Sequence, residues 1–73
     1  MNQHKPAKKY LSTWCIMGYY QYHIFEIDAG KEKWYEASPT MKGVTRIAAT
    51  EEELRAILTK DAKQIAEFWA KVR

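Results

Sequence analysis

The chain is predicted to fold as an α+β domain: a three- to four-stranded antiparallel sheet with one C-terminal amphipathic helix packed on one face. Three observations carry that prediction. The stretch from Thr50 to Arg73, TEEELRAILTKDAKQIAEFWAKVR, has no Gly or Pro and repeats its apolar residues at steps of three and four. The stretch from Tyr10 to Asp28 is crowded with the aromatic and β-branched residues that suit strands. Between these two, Gly, Pro and short polar clusters break the chain at the intervals expected of turns.

The helix is specified at both ends. Thr50 can cap it, because its hydroxyl accepts from a backbone N–H that the first turn leaves unpaired, and Glu53 three residues on completes a capping box. Glu51, Glu52 and Glu53 oppose the positive end of the helix dipole, and Lys71 and Arg73 the negative end. The apolar stripe is Leu54, Ile57, Leu58, Ala62, Ile65, Phe68, Trp69 and Val72, all expected to pack on the sheet. Asp61 falls inside this stripe and fits two arrangements. Either the helix breaks near Thr59 to Asp61, with Asp61 as a second N-cap, or it is continuous and Asp61 pairs with a Lys or Arg at the sheet edge.

Ahead of the helix, Tyr10 to Met17 and Tyr19 to Asp28 are predicted strands, with Gly18 a tight turn or a bulge between them. AGKE turns the chain into Lys33 to Ala37. The SPTMKG loop leads to a last short strand, Val44 to Ala49. Met1 to Lys9 is polar, contains Pro6 and shows no apolar period, so it reads as a flexible basic arm on a single domain running from Tyr10 to Arg73.

Strand alternation suggests where a partner would touch. If Glu26 and Asp28 face water, Tyr20, Tyr22 and Ile24 share that outer face. Tyr19, Gln21, His23, Phe25 and Ile27 then lie beneath the helix. On the last strand Ile47 goes in, and Arg46 goes out beside Val44 and Ala48. The outer face would expose an apolar stripe of the kind that marks interaction surfaces.

The chain carries a net charge of +3, with Lys5, Lys8 and Lys9 in its first ten residues and no acid among them. Beyond Tyr10 the charges balance. Cys15 stands alone, which excludes an intramolecular disulfide framework and, with no signal-peptide pattern, points to a reducing, cytoplasmic setting. It is expected to be a small buried hydrophobe. No cofactor, metal or catalytic activity is expected. Gly18, Gly30 and Gly43 are isolated, His4 and His23 have no partner at ligand spacing, and nothing pairs a nucleophile with a base.

Two functions suit these features. The first is a protein-binding module acting stoichiometrically on a protein or nucleoprotein complex through Tyr20, Tyr22, Ile24, Trp34, Tyr35 and Arg46, since Tyr, Trp and Arg most often carry interface energy. In size and style the chain resembles small accessory proteins of phages and mobile elements, including inhibitors of host defence such as anti-CRISPR proteins. A homodimer is also compatible with so small a core. The second is nucleic-acid binding, with Lys5, Lys8, Lys9, Lys31, Lys33, Lys42 and Arg46 reaching phosphates and tyrosines stacking on bases. A short antiparallel sheet followed by a helix is similar, in element order, to double-stranded-RNA-binding domains and to the arm-binding domains of some phage-type integrases.

Overall fold

The computed structural model describes residues 6–72. Four strands, β1 (Ala7–Ile16), β2 (Tyr20–Asp28), β3 (Lys33–Pro39) and β4 (Arg46–Ala48), form one antiparallel sheet in the order β1-β2-β3-β4. One helix, α1 (Glu51–Val72), follows and contacts the sheet. The first strand starts at Ala7, where Tyr10 was expected, because Ala7, Lys8 and Lys9 pair with Asp28, Ile27 and Glu26. Residues 1–5, the rest of the proposed arm, lie outside the described residues.

Gly18 belongs to a tight turn. Met17 and Gly18 have φ of 56° and 68°, and the Tyr19 N–H donates to the Ile16 carbonyl at 3.2 Å. Positive φ at both central positions matches the right-handed twist of the two strands it joins. At the next turn the Asp28 carboxylate accepts from the Gly30 N–H at 2.9 Å, which fixes the chain reversal locally.

A bulge at Leu11 decides what β1 presents to each side. Tyr10 pairs with Phe25 but Ser12 with Ile24, so one residue is extra and the alternation inverts there. Lys8 and Tyr10 therefore face away from the helix, whereas Trp14 and Ile16 face it. Leu11 itself packs against the core.

The core lies between sheet and helix: Ile16, Tyr22, Ile24, Ala37, Ala48, Leu54, Leu58 and Ala62, with Trp14, Tyr20, Tyr35 and Ile57 half-buried around them. The side assigned to β2 from its sequence is thus inverted. Tyr22 is 6% exposed and Ile24 0%, while His23 is exposed on the far side. The same inversion holds in β4, where Ala48 is buried and Ile47 exposed. The physical reason is that the core cluster ends at Ile24. Glu26 and Asp28 share its side of β2 but lie past it, where Asp28 reaches water and Glu26 pairs with Lys33 at 3.6 Å. A carboxylate at a strand end does not force the whole strand outward.

The helix is continuous through Asp61, and the Arg46 guanidinium on β4 donates to both carboxylate oxygens of Asp61, at 2.7 and 3.3 Å. The Thr50 cap forms: its hydroxyl oxygen accepts from the Glu53 N–H at 3.1 Å. The hydroxyl in turn donates to the Glu53 carboxylate at 3.3 Å. Arg55 reaches across to lie 4.2 Å from the centre of the Trp14 ring.

The stripe on α1 divides into two halves. Leu54, Leu58 and Ala62 are fully buried, but Ile65, Phe68, Trp69 and Val72 are exposed, Trp69 by 58%. Length explains this correction. Twenty-two helical residues span roughly 33 Å, whereas the seven of β3 span roughly 23 Å, so the last turns outrun the strands they started on.

The side of the sheet turned away from the helix is held by its own network. Lys8 pairs with Glu36 at 3.0 Å and lies 4.4 Å from the Phe25 ring centre. Tyr10 packs edge-on against His23 and Phe25, and its hydroxyl bonds Thr13 at 2.7 Å, which in turn bonds His23 Nδ1 at 3.0 Å. Cys15, on the Thr13 side of the bulge, is exposed, contrary to its expected burial.

Candidate functional site

Where α1 outruns the sheet, it leaves a groove of about 990 Å³ between its last turns and the loops at that end. The helix contributes Ile65, Phe68 and Trp69. The β1–β2 turn contributes Tyr19, the start of β2 contributes Tyr20, and the β3–β4 loop contributes Met41 and Val44. These side chains are unusually open to water: Met41 is 77% exposed, Tyr19 70%, Val44 66% and Phe68 60%. Phe68 and Trp69 stack edge to face, ring centres 5.5 Å apart at 77°, forming a ridge along one wall.

An isolated exposed apolar residue needs no explanation, but a contiguous set does. Six such side chains line one groove, with Val72 beyond them, so they form a connected set and are not scattered singly over the surface. The groove floor is made by Tyr22 together with the Arg46–Asp61 ion pair. Because Arg46 takes the Asp61 carboxylate, Lys42 is the one lining charge without an ionic partner among the described residues. Burial, the Asp61 carboxylate and Tyr20 together push the Tyr22 phenol above its ordinary pKa, with Arg46 opposing them. The surface is thus apolar, concave and weakly cationic. It suits an apolar segment of a macromolecule better than a small charged substrate.

Of the residues singled out from sequence, Tyr20, Tyr22 and Arg46 reach this groove, though Tyr22 forms its floor and not an open stripe. Ile24 is sealed in the core. Trp34 is half-buried beside Ile27 on the far side of the sheet, and Tyr35 is half-buried against the core opposite Ala48. The lysines do not converge: Lys8 and Lys33 hold carboxylates, Lys9 and Lys31 are exposed elsewhere, and Lys42 stands at the groove. Lys5 and His4 lie outside the described residues.

The residues missed as a site are Tyr19, Met41, Val44, Ile65, Phe68 and Trp69. For the helical ones the apolar period marks the face they share with Leu58 but not where the sheet beneath that face ends.

Among the described residues no group of three His, Cys, Asp or Glu side chains is placed to hold a metal, and no helix is long and apolar enough to cross a membrane. No protein-family model, curated protein or solved structure matches the chain.

Proposed function

We propose that this chain is a small protein-binding module that acts stoichiometrically on a partner protein or complex, without catalysis, through the apolar end just described. The observation that carries the reading is the exposure of Tyr19, Met41, Val44, Phe68 and Trp69 around one groove. Keeping these side chains in water costs roughly 25 cal/mol per Å², a cost that a bound partner removes. Aromatic anchors beside a concave apolar floor are the usual source of interface energy. Neither His nor Cys lines the groove, so it offers no nucleophile–base pair of the usual kind. Occupying a partner's surface is also the mode suggested by the chain's resemblance in size to phage inhibitors of host defence of the anti-CRISPR type.

A second reading has nucleic acid lying on the side of the sheet turned away from the helix, where Tyr10 and Phe25 present rings near Lys8. It is weaker, because Lys8 and Lys33 already hold Glu36 and Glu26 and have less charge to offer phosphates.

The test is affinity capture from lysate of the native host, with nuclease and at moderate salt, using the wild type and a Phe68→Ser/Trp69→Ser variant. The expected result is a protein retained by the wild type and lost by the variant, whose circular dichroism stays unchanged. Recovery of nucleic acid alone, released as salt rises and indifferent to the variant, would replace this reading with the second.

A further inference from the structure

We infer that the groove receives an amphipathic helix of the partner protein, apolar along one face and acidic beside it. This rests on the reading that the apolar end contacts a protein, and names the chemistry of the segment that fills it. Three features select that occupant.

The first is the distribution of charge. Of the nine acids in the chain, Glu26, Asp28, Glu32 and Glu36 lie around the β2–β3 hairpin, and Glu51 to Glu53 form the first turn of α1. None of these lines the groove. Asp61 does, but Arg46 holds it, and Glu67 stands on the outer side of α1 with Lys60 and Lys63. What remains beside the apolar side chains is positive. Lys42 stands on the β3–β4 loop without an ionic partner among the described residues. Exposed Lys71 follows Phe68 by three residues, on the same side of α1. A segment with Lys or Arg next to its apolar anchors meets like charge at both places, whereas Asp or Glu is matched at both.

The second is the state of the backbone. The floor is built on β2, where Tyr22 is paired on both sides, with Trp14 of β1 and Pro39 of β3. The neighbouring Gln21 carbonyl accepts from the Thr40 N–H at 3.0 Å. The floor thus presents side chains and no open strand. An extended segment laid on it would bury N–H and C=O groups without partners, whereas a helix brings its own backbone bonds.

The third is the make-up of the walls. Phe68, Trp69 and Tyr19 offer ring faces, and Met41 a pliable thioether. Such walls accept the large apolar side chains that a helix presents at steps of three and four.

Fluorescence anisotropy with the full chain at physiological salt tests the inference. The probe is a labelled peptide of about 14 residues, roughly four helical turns, with Leu and Phe at steps of three and four and Glu beside that stripe. Its comparator carries Lys in place of every Glu. The glutamate peptide should bind at least about 10-fold more tightly, by a margin that narrows as salt rises. Lys42→Glu/Lys71→Glu should reverse the order, and Phe68→Ser/Trp69→Ser should bind neither peptide, both with unchanged circular dichroism. A glutamate peptide that fails to bind at about 1 mM overturns the inference. So do equal affinities for the two peptides, or an order that the charge variant leaves unchanged. Binding to phosphatidylserine vesicles without binding to the glutamate peptide overturns it too, and gives the end to an anionic lipid surface.

Failure here is separable from failure of the proposed function. A protein captured by the wild type, lost on Phe68→Ser/Trp69→Ser and kept on Lys42→Glu/Lys71→Glu removes the acidic helix and keeps the protein-binding reading. The expected peptide preference, with capture indifferent to Phe68→Ser/Trp69→Ser, keeps the selectivity of the groove and removes the captured protein as its occupant.

Discussion

Leu58→Ala and Trp69→Ala offer a paired perturbation on one helix, with opposite expected outcomes. Both residues belong to the apolar stripe of α1, and periodicity alone treats them alike. Leu58 is fully buried in the core, and Trp69 is 58% exposed. Truncating Leu58 removes three carbons from an apolar site, about 2.4 kcal/mol at ~0.8 kcal/mol per methylene. The cavity left between sheet and helix brings the total to roughly 3–4 kcal/mol. A chain of 73 residues has a stability of only about 4–11 kcal/mol, so this loss is a large fraction of it. Truncating Trp69 removes a larger side chain, but one that already meets water over most of its surface. The expected loss is below about 1 kcal/mol. Urea unfolding followed by circular dichroism checks both. With a slope near ~1.5 kcal/mol/M, Leu58→Ala should move the midpoint down by about 2 M and Trp69→Ala by less than about 0.7 M. A Trp69→Ala loss as large as that of Leu58→Ala would refute the exposed end and return the whole stripe to the core.

Three further outcomes follow from the same structure. Thr50→Ala removes the acceptor of the Glu53 N–H and should cost about 1 kcal/mol in the same urea assay. A double-mutant cycle on Arg46 and Asp61 should give a coupling of about 0.5–1 kcal/mol, because the bidentate pair is partly open to solvent. The raised pKa of the Tyr22 phenol means that the folded chain keeps this proton where the unfolded chain, ionising at 10.0, has lost it. That stability is present in full below pH 10.0 and is lost as pH rises through the folded-state value, so thermal melts of Tyr22→Phe should decline less steeply above pH 10.0 than those of the wild type.

The elements legible in the sequence are those fixed by local chemistry. Thr50 and Glu53 mark where α1 begins, and the absence of Gly and Pro beyond them lets it run unbroken. Asp61 in an apolar stripe allowed either a helix break or a cation opposite it, and the structure has the second, with Arg46 as the cation. What could not be read is what depends on how far one element extends over another. Glu26 and Asp28 suggest that their side of β2 faces outward, although on that side the residues up to Ile24 sit in the core beneath the helix. Tyr22, with a large apolar ring and a polar tip, suits either side of a sheet, so residue type could not correct the error. The Leu11 bulge inverts β1 through a backbone irregularity with no marker in composition, and it sends Trp14 inward and leaves Cys15 exposed. Ile65, Phe68 and Trp69 share their helical face with Leu58. Periodicity identifies that face but is silent on where the sheet beneath it stops.

The order β1-β2-β3-β4 has a consequence for how the chain reaches this structure. Every strand pairs with its neighbour in sequence, so the sheet assembles hairpin by hairpin, and each step closes only a short loop. α1 then docks on β4 and β3, the strands made just before it, and the Arg46–Asp61 pair joins residues only fifteen apart. The contact of Arg55 with Trp14 is different, because it ties the last element to the first. A topology dominated by local pairings folds quickly for its size and offers few long-lived wrong partners. A chain built this way regains its structure soon after a transient unfolding, although its core is small.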